Sequence, residues 1–190
     1  MAARSNQVRI IAGQWRGRKL PFPDAQGLRP TADRIRETLF NWLTPVLHGA
    51  HCLDLFAGSG ALGFEAASRG AAQVVMVDSA RDVTAALQEN AKRLSASTLQ
   101  IRQQEAAAYL ATGPGPFDVV FLDPPFNSPE LLLQSIDGLS APGRLAAGAS
   151  IYIETPAASG EPVVPANWIL EKQKKAGQVA YRLYRYTEAC

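Results

Sequence analysis

The sequence contains few cysteines and no long apolar segment, and both absences narrow the class of protein. Cys52 and Cys190 are the two cysteines among 190 residues, too few for a disulfide framework, so we expect free thiols. No run of about 18 apolar residues could span a membrane, and the first residues lack the order of a signal peptide. His48 and His51 lie beside Cys52 without a further ligand nearby in sequence, so no metal site is predicted. We expect a cytoplasmic protein that does not use a membrane.

The charge of the chain is unevenly distributed, although the formal net charge is only +2. Residues 1–36 carry eight basic and two acidic residues, a net of +6, whereas residues 37–170 carry a net of −7 and residues 171–190 a net of +3. With 47% hydrophobic residues, the chain suits one globular domain with a full core. A basic arm on an acidic body is typical of polyanion binding, because neutralised phosphates release counterions. A merely solubilising arm is the alternative.

Two short strand-like segments near the amino terminus predict a β-hairpin. Residues Val8–Ile11 and Lys19–Phe22 flank a loop in which Gly13 and Gly17 can supply positive φ angles. The predicted tip presents an aromatic residue beside three cations: Trp15, Arg16, Arg18 and Lys19. The ring can stack on a base while the cations hold phosphates, or the tryptophan can pack the hairpin onto the domain.

An amphipathic helix is predicted after the hairpin. Thr31 is a good N-cap, and Asp33 in the first turn complements the helix dipole. The predicted inward face consists of apolar residues at helical spacing: Ile35, Leu39, Trp42 and Val46. The other side carries groups that bind phosphate or an amino acid moiety, or that form only a solvated face: Arg34, Glu37, Thr38 and Asn41.

The next segment has the pattern of a nucleotide-binding half. A strand containing Asp54 leads into a loop in which Gly58, Gly60 and Gly63 fit G-x-G-x-x-G, and a helix follows. A second strand ends at Asp78, whose carboxylate can accept hydrogen bonds from ribose hydroxyls. Glycines that serve only packing are the alternative.

Two further predicted strands end in residues suited to a ligand. The third strand, Leu99–Arg102, is followed by Glu105, which either accepts a hydrogen bond from an amine such as that of adenine or only complements a helix dipole. The fourth, Phe117–Leu122, ends at Asp123-Pro124-Pro125-Phe126, where two prolines stop the strand and stiffen the turn. Open α/β sheets bind their ligands at the carboxyl ends of such strands.

Two classes of enzyme share the glycine loop and the acid after the second strand. A nicotinamide-dependent oxidoreductase uses Asp78 but leaves Asp54 and Asp123 without a role, in a chain too short for a separate substrate domain. A methyltransferase that uses S-adenosylmethionine gives each acid a role, because Asp54 suits the ammonium group of the methionine end. A catalytically idle RNA-binding module is the alternative outside enzymes.

The order Asp54-Leu55-Phe56-Ala57-Gly58-Ser59-Gly60, Asp78 and Asp123-Pro124-Pro125-Phe126 resembles class I methyltransferases that act on exocyclic amines of nucleobases. Residues 9–20, 28–31 and 33–41 look like the bacterial 16S rRNA guanine-N2 methyltransferase family, RsmD. The resemblance implies an α/β, Rossmann-like fold with a mostly parallel seven-stranded sheet, helices on both faces and an N-terminal β-hairpin extension. We expect a hairpin arm for RNA contact over residues 1–30 and an S-adenosylmethionine-binding methyltransferase domain over residues 31–190.

The resemblance also implies a substrate and a set of site residues. The expected substrate is the N2 amine of a guanine in the 16S rRNA of the 30S subunit or its assembly intermediate, modified by a monomer; DNA adenine-N6 methylation is the nearest alternative. The predicted catalytic residues are Asp123, Pro124, Pro125 and Phe126. The predicted cofactor-binding residues are Thr31, Arg34, Glu37, Asp54, Phe56, Ala57, Gly58, Ser59, Gly60, Asp78 and Glu105. The predicted RNA-binding residues are Arg9, Trp15, Arg16, Arg18, Lys19, Arg29 and Arg36.

Overall fold

The computed structural model describes residues 6–23 and 32–188, which form a two-stranded hairpin and a larger sheet with helices. The strands are β1 (Asn6–Arg9), β2 (Lys19–Phe22), β3 (His51–Asp54), β4 (Gln73–Asp78), β5 (Leu99–Gln103), β6 (Phe117–Leu122), β7 (Leu145–Pro156), β8 (Trp168–Ala176) and β9 (Val179–Tyr186). The helices are α1 (Asp33–Leu47), α2 (Ala61–Ser68), α3 (Arg81–Arg93), α4 (Ala106–Thr112) and α5 (Pro129–Leu139). No helix within these described ranges is both long and apolar enough to cross a membrane.

The larger sheet has seven strands in the order β5-β4-β3-β6-β7-β9-β8. The first five strands in this order pair in parallel, and β9 runs antiparallel to both of its neighbours. Alternate strand residues point to opposite faces, so Cys52 joins one apolar core with α1, α2 and α3, while Leu53 joins a second core with α4 and α5. The predicted α/β fold, with a mostly parallel sheet and an N-terminal hairpin, is confirmed.

The chain changes direction across the sheet between β3 and β6. From β3 it continues outward to β4 and β5, and it then returns to place β6 on the other side of β3. Such a switch point opens a crevice at the carboxyl ends of the two central strands. Asp54 ends β3 and Asp123 follows β6, so both acids lie at this crevice.

Helix α1 begins later than predicted. Its N-cap is Ala32, which provides no side-chain cap, and Asp33 is its first residue. The predicted N-cap Thr31 and the predicted RNA contact Arg29 lie outside the described residues. The proposed boundary between an arm and a domain near residue 30 therefore stays a prediction.

The buried face of α1 also differs from the prediction. Val46 is 46% exposed, so its assignment to the inward face was wrong, and Trp42 is only partly buried. Phe40 and Leu43 are fully buried instead. The helix packs against the sheet through aromatic contacts, with Trp42 stacked on Tyr181 at 5.4 Å between ring centroids. The buried face of α1 is therefore wider than the single apolar stripe that helical spacing predicted.

Candidate active site at the carboxyl edge of the sheet

Asp54 is a buried carboxylate at the centre of the switch point, with only 2% of its surface exposed. Its Oδ2 accepts a hydrogen bond from the Gly63 N–H at 3.0 Å, which supplies a cap for the first turn of α2. The pKa of Asp54 is raised to about 7, chiefly by burial and to a smaller extent by the neighbouring carboxylates of Asp123 and Asp78, while backbone hydrogen bonds act in the opposite direction. A cationic ligand group beside Asp54 would stabilise the ionised carboxylate.

The glycine loop between β3 and α2 is held close to the sheet. The Ala57 N–H donates to the carbonyl oxygen of Val77 at 2.9 Å, and the Gly60 N–H donates to the carbonyl of Ala57 at 2.7 Å. Gly60 has a φ of +79°, and a Cβ there would lie 2.5 Å from the ring of Phe64 and 2.8 Å from Leu87. Glycine is therefore required at position 60 both for its backbone conformation and for space.

Asp78 fixes this loop to the end of β4. Its Oδ2 accepts a hydrogen bond from the Gly58 N–H at 3.0 Å, and its Oδ1 accepts one from the Ala80 N–H at 2.9 Å. Each carboxylate oxygen has a second acceptor position, and Asp78 is only partly buried, so it can still accept a ribose hydroxyl. The role predicted for Asp78 is compatible with this geometry.

Three other predicted cofactor residues are exposed. Glu105 lies in the loop between β5 and α4, and its side chain caps no helix N–H, whereas its carbonyl accepts the N–H of Tyr109 at 2.9 Å. Arg34 and Glu37 lie on the outer surface near the start of α1. The roles of these three side chains stay predictions.

The segment Asp123-Pro124-Pro125-Phe126 forms the turn between β6 and α5. Asp123 is partly buried and Pro124 is buried, whereas Pro125 and Phe126 are exposed. The carbonyl of Pro125 accepts the Ser128 N–H at 3.0 Å, which closes the turn before α5 begins at Pro129. An aromatic ring that is 44% exposed beside a partly buried acid is available to contact a planar ligand.

A buried carboxylate that the sequence interpretation did not identify attaches the hairpin to α2. Glu65 is fully buried and accepts hydrogen bonds from the N–H groups of Ile11 at 2.8 Å and Ala12 at 3.0 Å. It also pairs with Arg69 at 2.6 Å and lies 3.7 Å from Arg36. The Ile11 N–H thus bonds to Glu65, and β1 ends at Arg9, two residues before the predicted limit. The available sequence signal was one charged residue within an otherwise apolar helix, which requires a partner.

Arg36 belongs to the same buried network and is not an RNA contact as predicted. Its guanidinium is 1% exposed, donates to Asp33 at 2.5 Å and donates to the carbonyl oxygen of Arg9 at 2.9 Å. A side chain enclosed in this way cannot reach a phosphate. Arg36 instead joins α1 to the hairpin and to Glu65.

The hairpin presents its remaining predicted cations to solvent. Trp15 is partly buried and packs against the core, as expected from the packing alternative, and its backbone N–H donates to Ser68 Oγ at 3.0 Å. The loop approaches α2 so closely that a Cβ at Gly13 would lie 1.9 Å from the Ser68 carbonyl oxygen. The exposed cations on this hairpin are Arg9, Arg16, Arg18 and Lys19. They form a basic surface on a firmly attached arm.

The sheet order, the glycine loop and the acids at the carboxyl edge define a class I methyltransferase fold. The family described as "Conserved hypothetical protein 95" matches residues 8–185. The ribosomal RNA small subunit methyltransferase D of Escherichia coli K12 is 53% identical over 95% of this chain and 91% of its own length. The protein of the same name from Haemophilus influenzae is 47% identical over 94% of each chain. The solved structure of the putative methyltransferase yhhF from Escherichia coli superposes with a TM-score of 0.90 at 50% identity, over 96% of this chain and 99% of that one.

The chain therefore belongs to the ribosomal RNA small subunit methyltransferase D family. The family resemblance inferred from the sequence motifs is confirmed.

Proposed function

We propose that the protein catalyses S-adenosylmethionine-dependent methylation of the exocyclic N2 amine of a guanine in 16S rRNA. The observation that carries this proposal is the pairing of β3 with β6, which places Asp54 and the Asp123 turn on adjacent strand ends. A carboxylate suited to a cation and a turn suited to an amine thus share one crevice. The names of the relatives that are 47–53% identical support small-subunit rRNA as the substrate.

The residues around the glycine loop fit S-adenosylmethionine. Asp54 is buried among other carboxylates and has a pKa of about 7, so an ammonium group would stabilise its charged form. Asp78 would bind the ribose and Glu105 the adenine, while the backbone of residues 56–60 would surround the cofactor. When bound, S-adenosylmethionine supplies a methyl group activated by a sulfonium centre.

The Asp123 turn would activate the amine and align it. The lone pair of a guanine N2 amine is delocalised into the ring, which makes the nitrogen a poor nucleophile. The Asp123 carboxylate and the Pro124 carbonyl would accept the two N–H groups and favour a nitrogen whose lone pair can attack. Proline lacks an N–H that would compete in this turn, and Phe126 would stack on the base. Catalysis would then rest mainly on alignment and electrostatic support, and the amine would lose one proton during or after methyl transfer.

The exposed cations of the hairpin would bind phosphates of 16S rRNA, within the 30S subunit or its assembly intermediate. Because the hairpin is fixed to α2 by Glu65, these cations keep a set position relative to the glycine loop. We further propose that the protein acts as a monomer in the cytoplasm.

The direct test is incubation with isotope-labelled S-adenosylmethionine and small subunits that lack the modification, followed by mass spectrometry of the digested nucleosides. We expect labelled N2-methylguanosine. Naked 16S rRNA assayed in parallel separates free RNA from an assembled particle as the substrate. Labelled N6-methyladenosine would overturn the guanine assignment, and no label in either substrate would overturn rRNA methylation.

A further inference from the structure

A cleft of about 300 Å³ lies beside the Asp123 turn, outside the glycine loop. Its lining is mostly apolar, and its volume is at the lower end of the range for small-ligand sites. One side is formed by the proline turn and α5, and the other by the end of β7 and the loop that follows. The lining residues that matter here are Pro124, Pro125, Phe126, Glu154, Thr155 and Gly160.

Glu154 is the buried acid of this cleft. It is 4% exposed, and its Oε1 accepts a hydrogen bond from the Tyr152 hydroxyl at 2.6 Å. Leu122 of β6 pairs with Ile153 of β7, so Asp123 and Glu154 follow at the same level on neighbouring strands. The two acids therefore follow a paired position at the carboxyl edge of the sheet, and Glu154 borders the cleft in which the Phe126 ring is exposed.

The wall that carries Glu154 is held by a buried arginine of β9. Arg182 is 4% exposed; its Nη1 donates to Thr155 Oγ1 and its Nη2 donates to the carbonyl of Gly160, each at 3.0 Å. These bonds tie the end of β7 and the first part of the following loop to β9. A wall fixed in this way can discriminate between ligands by hydrogen-bond pattern, because it cannot easily rearrange to suit another one.

We propose that this cleft holds the target base and that Glu154 selects guanine by accepting its N1–H, an inference that rests on the proposed function. The N1–H of guanine is adjacent to the N2 amine, so the base can present the amine to Asp123 and N1–H to Glu154 together. Adenine presents an unprotonated N1 beside its amine. An ionised carboxylate has only acceptor atoms. It therefore accepts a hydrogen bond from the N1–H of guanine, and it repels the lone pair on N1 of adenine. The Asp-Pro-Pro-Phe turn suits both the N2 amine of guanine and the N6 amine of adenine, and Glu154 would distinguish the two bases.

The test first locates the labelled guanine by mass spectrometry of RNA fragments from the labelling experiment. It then uses small subunits assembled with 16S rRNA in which this guanine is replaced by 2-aminopurine. This base keeps the N2 amine but has no N1–H. For the wild type, we expect kcat/KM to be about 10²-fold or more higher for guanine than for 2-aminopurine. Glu154→Gln, whose amide can donate to N1, should reduce this ratio at least tenfold. Its affinity for S-adenosylhomocysteine should stay within twofold.

Tyr152→Phe is the control for a disturbed Glu154, because it removes the hydrogen bond from the Tyr152 hydroxyl but keeps the Glu154 carboxylate in the cleft. The ratio of kcat/KM for guanine to kcat/KM for 2-aminopurine should stay within about threefold of the wild-type value in this variant, even though its stability falls. An unchanged ratio in Glu154→Gln would overturn the inference, as would equal changes in both variants. If Glu154→Gln does not fold, a wild type that uses both bases equally would still overturn it. A wild type that methylates no guanine would overturn the proposed function as well.

Discussion

The two halves of the sheet present their carboxyl edges differently. In the cofactor half, residues 51–103, Asp54 accepts the N–H of Gly63 and Asp78 accepts that of Gly58, so the acids, the glycine loop and the start of α2 form one fixed unit. In the amine half, residues 117–186, two prolines stiffen a turn that leaves Phe126 exposed beside an open cleft. The first arrangement suits an invariant ligand, and the second suits recognition of one base. Changes in either half should therefore separate cofactor binding from methyl transfer.

The largest effect is expected for Asp123→Ala, in the amine half. Loss of the acceptor for the amine should lower kcat by about 10²–10³-fold, the range found when one transition-state hydrogen bond is removed. Affinity for S-adenosylhomocysteine should change little, because the glycine loop is untouched. Turnover with labelled cofactor and calorimetric titration measure the two quantities. Near-normal turnover would remove Asp123 from the mechanism.

The corresponding change in the cofactor half is Asp54→Asn, which keeps an acceptor for the Gly63 N–H. Removing the charge should weaken S-adenosylmethionine binding by roughly 10²-fold, as expected for one partner of a buried ion pair. Turnover at saturating cofactor should be less affected. The opposite result, normal affinity with low turnover, would contradict the division between the halves.

The same variant tests the raised pKa of Asp54. In the wild type, S-adenosylmethionine affinity should rise as the pH is raised from about 6 to about 8 and then level off, because only the ionised carboxylate pairs with an ammonium group. The folded pKa lies above the unfolded value of 3.8, so this group should also make the unfolding free energy of the free protein fall between pH 4 and about 7. Both dependences should be absent in Asp54→Asn. Calorimetric titration and denaturant unfolding at several pH values measure them.

A smaller effect on activity, but a large one on stability, is expected for Glu65→Gln. One amide oxygen cannot replace a carboxylate that serves two backbone N–H groups and two arginines, so the unfolding free energy should fall by about 3 kcal/mol. For a domain of this size, the melting temperature should fall by about 6–12 °C, which thermal unfolding followed by circular dichroism measures.

Glu89→Gln is the matched control for Glu65→Gln. Glu89 also pairs with an arginine four residues later on a helix, at 3.2 Å, but both side chains are more than half exposed. Its loss should change stability by less than about 1 kcal/mol. Equal losses in the two variants would show that burial of Glu65 is not what fixes the hairpin to the cofactor half.

The sequence predicted the fold where the determinants are local. Strand periodicity, the glycine loop and the proline turn each act within a few residues, so the strands and the acids at their ends followed from them, whereas the seven-stranded sheet was implied by the family resemblance. Arg36 was misassigned because its partners lie elsewhere: the carbonyl of Arg9 is 27 residues away and Glu65 is in another helix. A basic segment in the sequence does not distinguish solvated cations from one that enters the core.

The contacts of Glu65 and the role proposed for Glu154 could not be predicted for a related reason. Glu65 meets backbone groups more than 50 residues away, and the wall beside Glu154 is held by Arg182 from the end of the chain. The buried face of α1 was only partly predicted, because the aromatic residues of β6 and β9 decide which positions are covered. Long-range packing, rather than local pattern, sets these features.

The smallest effect should come from the hairpin surface, which serves both halves. Replacing Arg16, Arg18 and Lys19 together by alanine should weaken binding to small subunits and reduce the slope of log K against log salt by about 0.7–0.9 for each phosphate that is no longer neutralised. Cofactor affinity should not change. The matched control replaces three exposed lysines of β8, which removes the same charge from the sheet edge: Lys172, Lys174 and Lys175. A larger decrease in slope for the hairpin variant would place the rRNA contact on the hairpin. Equal decreases would show that the hairpin cations contribute only through the overall charge of the protein.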